Sequence, residues 1–162
     1  MGKCLLALDL GTTTGFRVGN AASSVSGTAN FKPTRFESAS MRYVKFRAWL
    51  SQMRAAYPDI DHVTFEEVRR HAGTDAAHIY GGLMAHLMVW CDDAGLDYDA
   101  VPVGTIKKHW TGKGNANKDA MIAESVRRGL SPVDDNEADA QALFDFKMSE
   151  TSRSSAPAEM VF

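Results

Sequence analysis

An apolar run near the N-terminus, Lys3–Leu8, ends at the carboxylate Asp9, and this pattern constrains the fold more than any other. An uninterrupted apolar run of this length is typical of a strand buried inside a sheet. The tight turn Gly11–Gly15 follows it. Two further extended segments, Phe16–Val18 and Ala22–Ala29, then predict an antiparallel meander. We therefore expect Asp9 at the edge of a sheet that begins with three strands.

The rest of the chain alternates helical and extended segments. Short apolar runs predict strands at 62–65 and 97–101, and apolar residues at helical spacing predict five helices. These helices cover about residues 40–56, 74–93, 104–109, 118–128 and 135–149. Strands followed by helix–strand alternation predict one α/β domain, residues 1–150, with a mixed five-stranded sheet flanked by helices. The Ser-, Ala- and Pro-rich residues 151–162 are expected to form a flexible C-terminal tail.

Composition excludes several classes of protein. The 162 residues are 44% hydrophobic and 23% charged, which is the balance of a globular domain and excludes wholesale disorder. No apolar run approaches the roughly 20 residues of a membrane span, and the N-terminal run is too short for a signal peptide. We therefore expect no membrane partner, a cytoplasmic location, and buried free thiols at Cys4 and Cys91.

Charge is segregated along the chain although the net charge is only −2. Residues 17–54 carry seven basic residues against one acid, and residues 101–118 carry four lysines and no acid. Acids concentrate at 92–99 and 134–150, with net charges of −4 and −5. This distribution is compatible with a basic groove around an acidic centre, and also with ordinary solvated faces.

Three carboxylates lie at the ends of predicted apolar segments, where they contribute little to the stability of a soluble fold. Asp9 and Glu66 end predicted strands, and Asp139 lies in the first turn of the last helix. Like charges brought together raise one another's pKa, and a hard divalent cation with oxygen ligands is the usual compensation. Each acid alone could equally be a turn residue, a strand end or a helix N-terminal charge. The surrounding sequence decides between these interpretations.

Four sequence blocks resemble the signatures of RuvC-type Holliday junction resolvases, which belong to the RNase H-like superfamily. The blocks are ALDLGTTTGF at 7–16, FEEV at 65–68, TIKKHWTGKGNANK at 105–118 and NEADA at 136–140. They follow the order and spacing of that family over residues 3–148, and the lysine-rich third block is the most specific. The resemblance implies an RNase H-like fold of the small, phage-like kind.

The resemblance also implies a metal site. Its metal-binding and catalytic acids fall on Asp9, Glu66 and Asp139, which would bind two Mg²⁺ ions, with Mn²⁺ able to substitute. The family's remaining acid falls on Asn136, which offers a carbonyl oxygen without charge. Asp135, one helical turn before Asp139, could substitute for it. The sequence leaves open which of the two completes the site.

Basic residues take two roles in the same scheme. Lys107 and Lys118 are implied to be catalytic, since an ammonium near the reacting phosphate stabilises its accumulating charge. The expected DNA contacts are Arg69, Arg70, His71, Lys108, Lys113 and the backbone at Gly112 and Gly114. A glycine pair inside the predicted helix 74–93, Gly81-Gly82, suggests close approach of another backbone.

The resemblance implies an endonuclease that resolves four-way DNA junctions by two-metal hydrolysis, leaving 5′-phosphate ends. It also implies a homodimer formed through the 74–93 helix, and phage-like members could extend to forks and flaps. Three alternatives stay open: a nuclease for RNA–DNA hybrids, a non-catalytic junction-binding module, which Asn136 favours, and a fragment of an actin-like ATPase. The last is suggested by the phosphate-loop-like run DLGTTTG at 9–15.

Overall fold

The computed structural model describes residues 3–154. Within that range, five strands form one mixed sheet in the order β3-β2-β1-β4-β5. The strands are β1 (Cys4–Asp9), β2 (Thr13–Gly19), β3 (Ser24–Asn30), β4 (Ile60–Glu67) and β5 (Asp97–Pro102). The first three are antiparallel, whereas β4 pairs parallel to β1 and β5 pairs parallel to β4. The predicted mixed five-stranded sheet is confirmed.

Five helices in the described range flank this sheet, as predicted. They are α1 (Met41–Ala56), α2 (Thr74–Ala94), α3 (Val103–Thr111), α4 (Lys118–Arg127) and α5 (Asp135–Ser154). None of them combines the length and hydrophobicity that crossing a bilayer requires. Helix α5 continues four residues past the predicted end of the domain at 150. Residues 155–162 of the predicted tail lie outside the described residues.

Alternation along β1 divides the core into two halves, because successive side chains of a strand point to opposite faces of the sheet. Leu6 and Leu8 pack with α1 and α2 on one face, whereas Leu5 and Ala7 pack with α3, α4 and α5 on the other. Since both faces are covered, β1 reads as a continuous apolar run. The two cysteines are buried free thiols, as expected.

One glycine of the pair in α2, Gly82, has a different role from the one suggested by the sequence. A Cβ at Gly82 would lie 2.5 Å from the ring of Tyr43 on α1, so this glycine makes room for a side chain and not for another backbone. A Cβ at Gly81 would meet nothing within 4 Å among the described residues. Within residues 3–154, Gly82 alone of the pair brings a neighbouring element close.

Candidate active site

The parallel pairing of β1 with β4 places two of the three acids at one edge of the sheet. Leu8 is in register with Phe65. Asp9 and Glu66 are the next residues of the two strands, so they lie next to each other at this edge of the sheet. Asp139 comes from α5, which packs across β1 and β2. One carboxylate oxygen of each acid lies within 4.8 Å of those of the other two. The fold thus assembles the three acids that the sequence singled out.

The seat of α5 depends on Gly15, which the sequence analysis assigned only to a turn. Gly15 is the cross-strand partner of Asp9 on β2. A Cβ at this position would lie 1.9 Å from the carbonyl oxygen of Asn136, so the first turn of α5 rests directly on the glycine backbone. This close approach brings Asp139, one turn further along α5, over the end of β1.

Two further acids, Asp134 and Glu137, form hydrogen bonds that fix the start of α5. The Asp134 carboxylate accepts a hydrogen bond from the backbone N–H of Glu137 at 2.9 Å, and the Glu137 carboxylate accepts one from the N–H of Val133 at 2.8 Å. Glu137 is buried and also accepts a hydrogen bond from the Ser26 hydroxyl on β3. Its role is therefore to anchor the helix; the Asp–x–x–Glu spacing of a capping box was the available sequence signal.

Tyr80 of α2 holds the backbone around Glu66. Its hydroxyl donates a hydrogen bond to the Glu66 carbonyl at 2.7 Å and accepts one from the Val68 N–H at 3.2 Å. His71, an expected DNA contact, packs on the Tyr80 ring with ring centroids 5.0 Å apart. No local sequence pattern indicates this role for Tyr80, because the bonds join residues 12 and 14 positions apart.

Burial raises the pKa values of all three acids, and repulsion between neighbouring carboxylates adds to this for Asp9 and Asp139. The pKa of Asp9 lies well above its ordinary value, first because the group is buried and then because Glu66 and Asp139 are close. Burial and Glu66 raise the pKa of Asp139 to about 7. Burial also raises the pKa of Glu66, while its hydrogen bond with Asp9 and the charge of Lys107 act in the opposite direction. A cation bound among the three carboxylates would favour their ionised forms.

The donor set fits a hard divalent cation. Three clustered carboxylates offer the oxygen ligands that Mg²⁺ and Mn²⁺ prefer. Asp135 does not belong to the cluster, and its carboxylate forms an ion pair with Lys118 at 3.2 Å. Asn136, one turn before Asp139 on α5, has no hydrogen bond to its side-chain amide within residues 3–154, so the amide oxygen is not engaged elsewhere in that part of the chain.

The predicted basic residues surround this cluster to different degrees. Lys107, on α3, is near enough to lower the pKa values of Glu66 and Asp139. The side chain of Lys118, which is 80% exposed, extends from the start of α4 toward Asp135. Arg69 pairs with Glu67 at 3.0 Å. The expected DNA contacts that lie at the surface are Arg69, Arg70, Lys108, Gly112, Lys113 and Gly114.

Neither comparison by sequence, with protein-family models or with curated proteins, finds a match. Structural comparison does. RuvC of Thermus thermophilus in complex with a Holliday junction substrate superposes with a TM-score of 0.73 at 21% identity, over 92% of this chain and 97% of that one. The chain has the fold of RuvC-type resolvases. A second structure of T. thermophilus RuvC gives a TM-score of 0.66 at 21% identity, over 90% and 96% of the two chains.

The RuvC-type fold extends to a eukaryotic structure. The yeast mitochondrial Holliday junction resolvase Ydc2 matches with a TM-score of 0.66 at 10% identity, over 94% of this chain and 80% of that one. The expected RNase H-like fold class is therefore confirmed. The similarity spans the sheet and the helices on both of its faces, which include the elements that carry Asp9, Glu66 and Asp139.

Proposed function

We propose that this chain is a divalent-metal-dependent endonuclease that cleaves branched DNA, with the four-way junction as its principal substrate. The observation that supports it most strongly is the cluster of Asp9, Glu66 and Asp139 at the edge of a RuvC-type sheet. The solved neighbours bear the names of Holliday junction resolvases. Recombination and repair of DNA in a bacterial or phage-infected cytoplasm are the processes to which such an activity belongs.

The three acids would hold two Mg²⁺ ions, with Mn²⁺ as a substitute and the carbonyl oxygen of Asn136 as a further ligand. Bound ions would supply the positive charge that favours ionisation of the attacking water and stabilises the leaving 3′ oxygen. Breaking of the P–O3′ bond would leave a 3′ hydroxyl on one side of the cut and a 5′ phosphate on the other. The protein's own contribution is to fix the carboxylates. Gly15 seats the helix of Asp139, and Tyr80 holds the strand end at Glu66.

The lysines would act on the phosphate group itself. Lys107 lies beside Glu66 and Asp139, where its ammonium can stabilise negative charge that accumulates on the phosphate oxygens. Lys118 is more exposed and is held by Asp135, so a phosphate entering the site would compete with this ion pair. Lys108, Lys113 and the Gly112–Gly114 backbone would follow the DNA strand away from the site.

Two symmetric cuts in a four-way junction need two active sites, and we propose a homodimer through α2. The outer face of this helix leaves His78, Ala85 and Val89 exposed, whereas Leu83 and Leu87 pack inward on the sheet. Small and apolar side chains on that face permit close approach of a second copy. A dimer would set two clusters of acids against the two strands of like polarity.

Cleavage of a labelled, mobile four-way junction in Mg²⁺ tests the proposal. We expect paired, symmetric nicks with 5′-phosphate ends from the wild type, and none from Asp9→Asn. A linear duplex of the same sequence and an RNA–DNA hybrid serve as controls for substrate class. Tight binding without cleavage in Mg²⁺ or Mn²⁺ would favour a non-catalytic junction-binding module. Preferential cleavage of the hybrid would reassign the substrate.

A further inference from the structure

The loop between β3 and α1 presents an aromatic ring to solvent. Phe36 is 85% exposed, more than any other large hydrophobic side chain within residues 3–154. It occupies, with Arg35, the two central positions of a tight turn closed by a hydrogen bond from the Glu37 N–H to the Thr34 carbonyl at 3.1 Å. The Arg35 guanidinium carbon lies 4.7 Å from the centre of the Phe36 ring.

This turn is braced from within. The Glu37 carboxylate accepts hydrogen bonds from the Thr34 N–H at 2.8 Å and from the Lys45 ammonium of α1 at 2.7 Å. The same ammonium also donates to the Lys32 carbonyl at 3.3 Å. Glu37, at the end of the turn, and Lys32, two residues before its start, are therefore tied to α1. Within residues 3–154 only Arg35 is recorded against the exposed ring.

The turn belongs to the same edge of the sheet as the candidate active site. Phe31, at the start of the loop, donates its N–H to the Thr12 carbonyl at 2.8 Å, and Arg42, at its end, donates to the Thr12 hydroxyl at 3.1 Å. Thr12 follows Asp9 by three residues. The loop is thus bonded at both ends to the segment that leaves β1 at the acid cluster.

The chemistry around the ring matches nucleic acid. Arg35 lies on the ring, and the same loop carries Lys32 and ends at Arg42, so its positive charge complements a phosphate backbone. An exposed aromatic ring beside such charge is a stacking platform for a base, and the guanidinium on the ring adds a cation–π contact. Bases inside a paired duplex already stack on their neighbours. A base is free to stack on protein only where the helix is interrupted.

We propose that Phe36 stacks on an unstacked base at the branch point of the DNA, with Arg35 bound to an adjacent phosphate. The inference rests on the proposed function and adds a residue that selects branched over linear DNA. The loop 69–73 beyond β4 offers no large aromatic side chain for this purpose, and its His71 ring is packed on Tyr80. Phe36 offers an exposed aromatic surface on the other side of β1 from that loop.

Binding measurements on variants of the full chain test this assignment. In the Asp9→Asn background, which keeps the DNA intact, we expect Phe36→Ala to weaken binding of a four-way junction by about tenfold or more. Phe36→Tyr keeps the ring and should bind within about threefold of the parent. Affinity for a linear duplex should not change in either variant. Val25→Ala, which truncates another exposed apolar side chain at the far end of the sheet, is the matched control.

Two further readouts separate stacking from charge. Arg35→Ala should lower the slope of log affinity against log salt concentration by about one, whereas Phe36→Ala should leave that slope unchanged. A junction with 5-iodouracil at the branch point should photo-cross-link to Phe36, and the same base placed well inside an arm should not. Circular dichroism of each variant establishes that the fold is retained.

The possible outcomes distinguish the role of Phe36 from the proposed function of the whole chain. If the wild type cleaves junctions and Phe36→Ala binds them as tightly as its parent, the inference is wrong and the proposed function stands. Equal weakening for junction and duplex would mean that Phe36 contacts the groove and not an unstacked base. A change in oligomeric state caused by Phe36→Ala would identify the ring as a contact between copies. If the wild type neither binds nor cleaves junctions, both proposals fail.

Discussion

Gly15 and Asn136 touch through their backbones: a Cβ added to Gly15 would lie 1.9 Å from the Asn136 carbonyl oxygen. The contact joins the strand that pairs with Asp9 to the helix that carries Asp139. The absence of a side chain at Gly15 therefore sets the position of Asp139 relative to Asp9. Because the obstructing atoms are backbone, a side chain here must displace α5.

Gly15→Ala should therefore damage both stability and activity. We expect a loss of about 1–3 kcal/mol in the free energy of unfolding, as for other overpacked sites. Cleavage should fall by about 100-fold, because an error of about 1 Å in a catalytic group has that effect. Urea denaturation and junction cleavage measure the two. Unchanged stability and cleavage in Gly15→Ala would contradict this account.

Tyr80 offers a second test of positioning. Tyr80→Phe removes the hydroxyl that bonds to the backbone at Glu66 and Val68, and we expect a loss of about 1 kcal/mol in stability. The rate of cleavage should decrease while affinity for junction DNA is kept, since the strand end at Glu66 loosens. Tyr43→Phe is the control, because the Tyr43 hydroxyl has no hydrogen-bond partner in residues 3–154. Unchanged cleavage by Tyr80→Phe would show that Glu66 is held without it.

Sequence reasoning predicted the elements and the acids, because both depend on local patterns. The run Cys4–Leu8 is apolar since β1 is covered on both faces, and Asp9 follows it because β1 ends there. The parallel pairing that unites Asp9 with Glu66 follows from the topology of an α/β domain. The strands, the helices and the acids at their ends depend on residues that are close together in the sequence, so they can be predicted from one sequence.

The contacts that seat the acids could not be predicted in the same way. Gly15 meets Asn136 across more than a hundred residues, and the bond from Ser26 to Glu137 is equally distant in sequence. Nothing in the sequence around Gly15 distinguishes a glycine needed for a turn from one needed under a helix. Gly82 shows the opposite error, since within residues 3–154 it faces the side chain of Tyr43 where the sequence suggested a backbone.

Metal binding should be linked to pH through the raised pKa values of the acids. In Asp139, the folded pKa of about 7 lies above the value of 3.8 expected for an unfolded chain. Between these values the native state binds more protons than the unfolded state, so the free energy of unfolding of the metal-free protein falls as pH rises. The slope is about 1.4 kcal/mol per pH unit for each proton.

Mg²⁺ should therefore raise the Tm more at about pH 8 than at about pH 5.5, where protons occupy the site. Thermal unfolding with and without Mg²⁺ at both pH values measures this. Asp139→Asn should remove most of the Mg²⁺ effect and stabilise the metal-free protein at the higher pH. Glu124→Gln, which removes a carboxylate paired with Arg127 on α4, is the control for a general charge effect. A Mg²⁺ shift of equal size at both pH values would contradict the linkage.

Substitution of Lys107 should reduce catalysis without weakening metal binding. Its charge lowers the pKa values of Glu66 and Asp139, so it opposes a cation at the same place. Lys107→Met should reduce cleavage by about 100-fold or more, as expected for removal of an electrostatic group at the reacting phosphate. Affinity for Mg²⁺, measured by calorimetry, should stay the same or increase. Asp9→Asn should lose both properties, and a parallel loss of Mg²⁺ affinity in Lys107→Met would assign Lys107 a structural role.

The ligand beside Asp139 can be identified by exchanging charge at two neighbouring positions. Asp135 is paired with Lys118 and lies outside the acid cluster, so Asp135→Asn should leave Mg²⁺ affinity within about threefold of the wild type. Asn136→Ala removes the available carbonyl oxygen and should weaken Mg²⁺ binding, whereas Asn136→Asp adds a charged oxygen and should strengthen it. Calorimetric titration of the three variants with Mg²⁺ at one pH shows which side chain is the ligand. Weakening by Asp135→Asn alone would transfer the ligand role to Asp135, with Lys118 released from its pair when the metal binds.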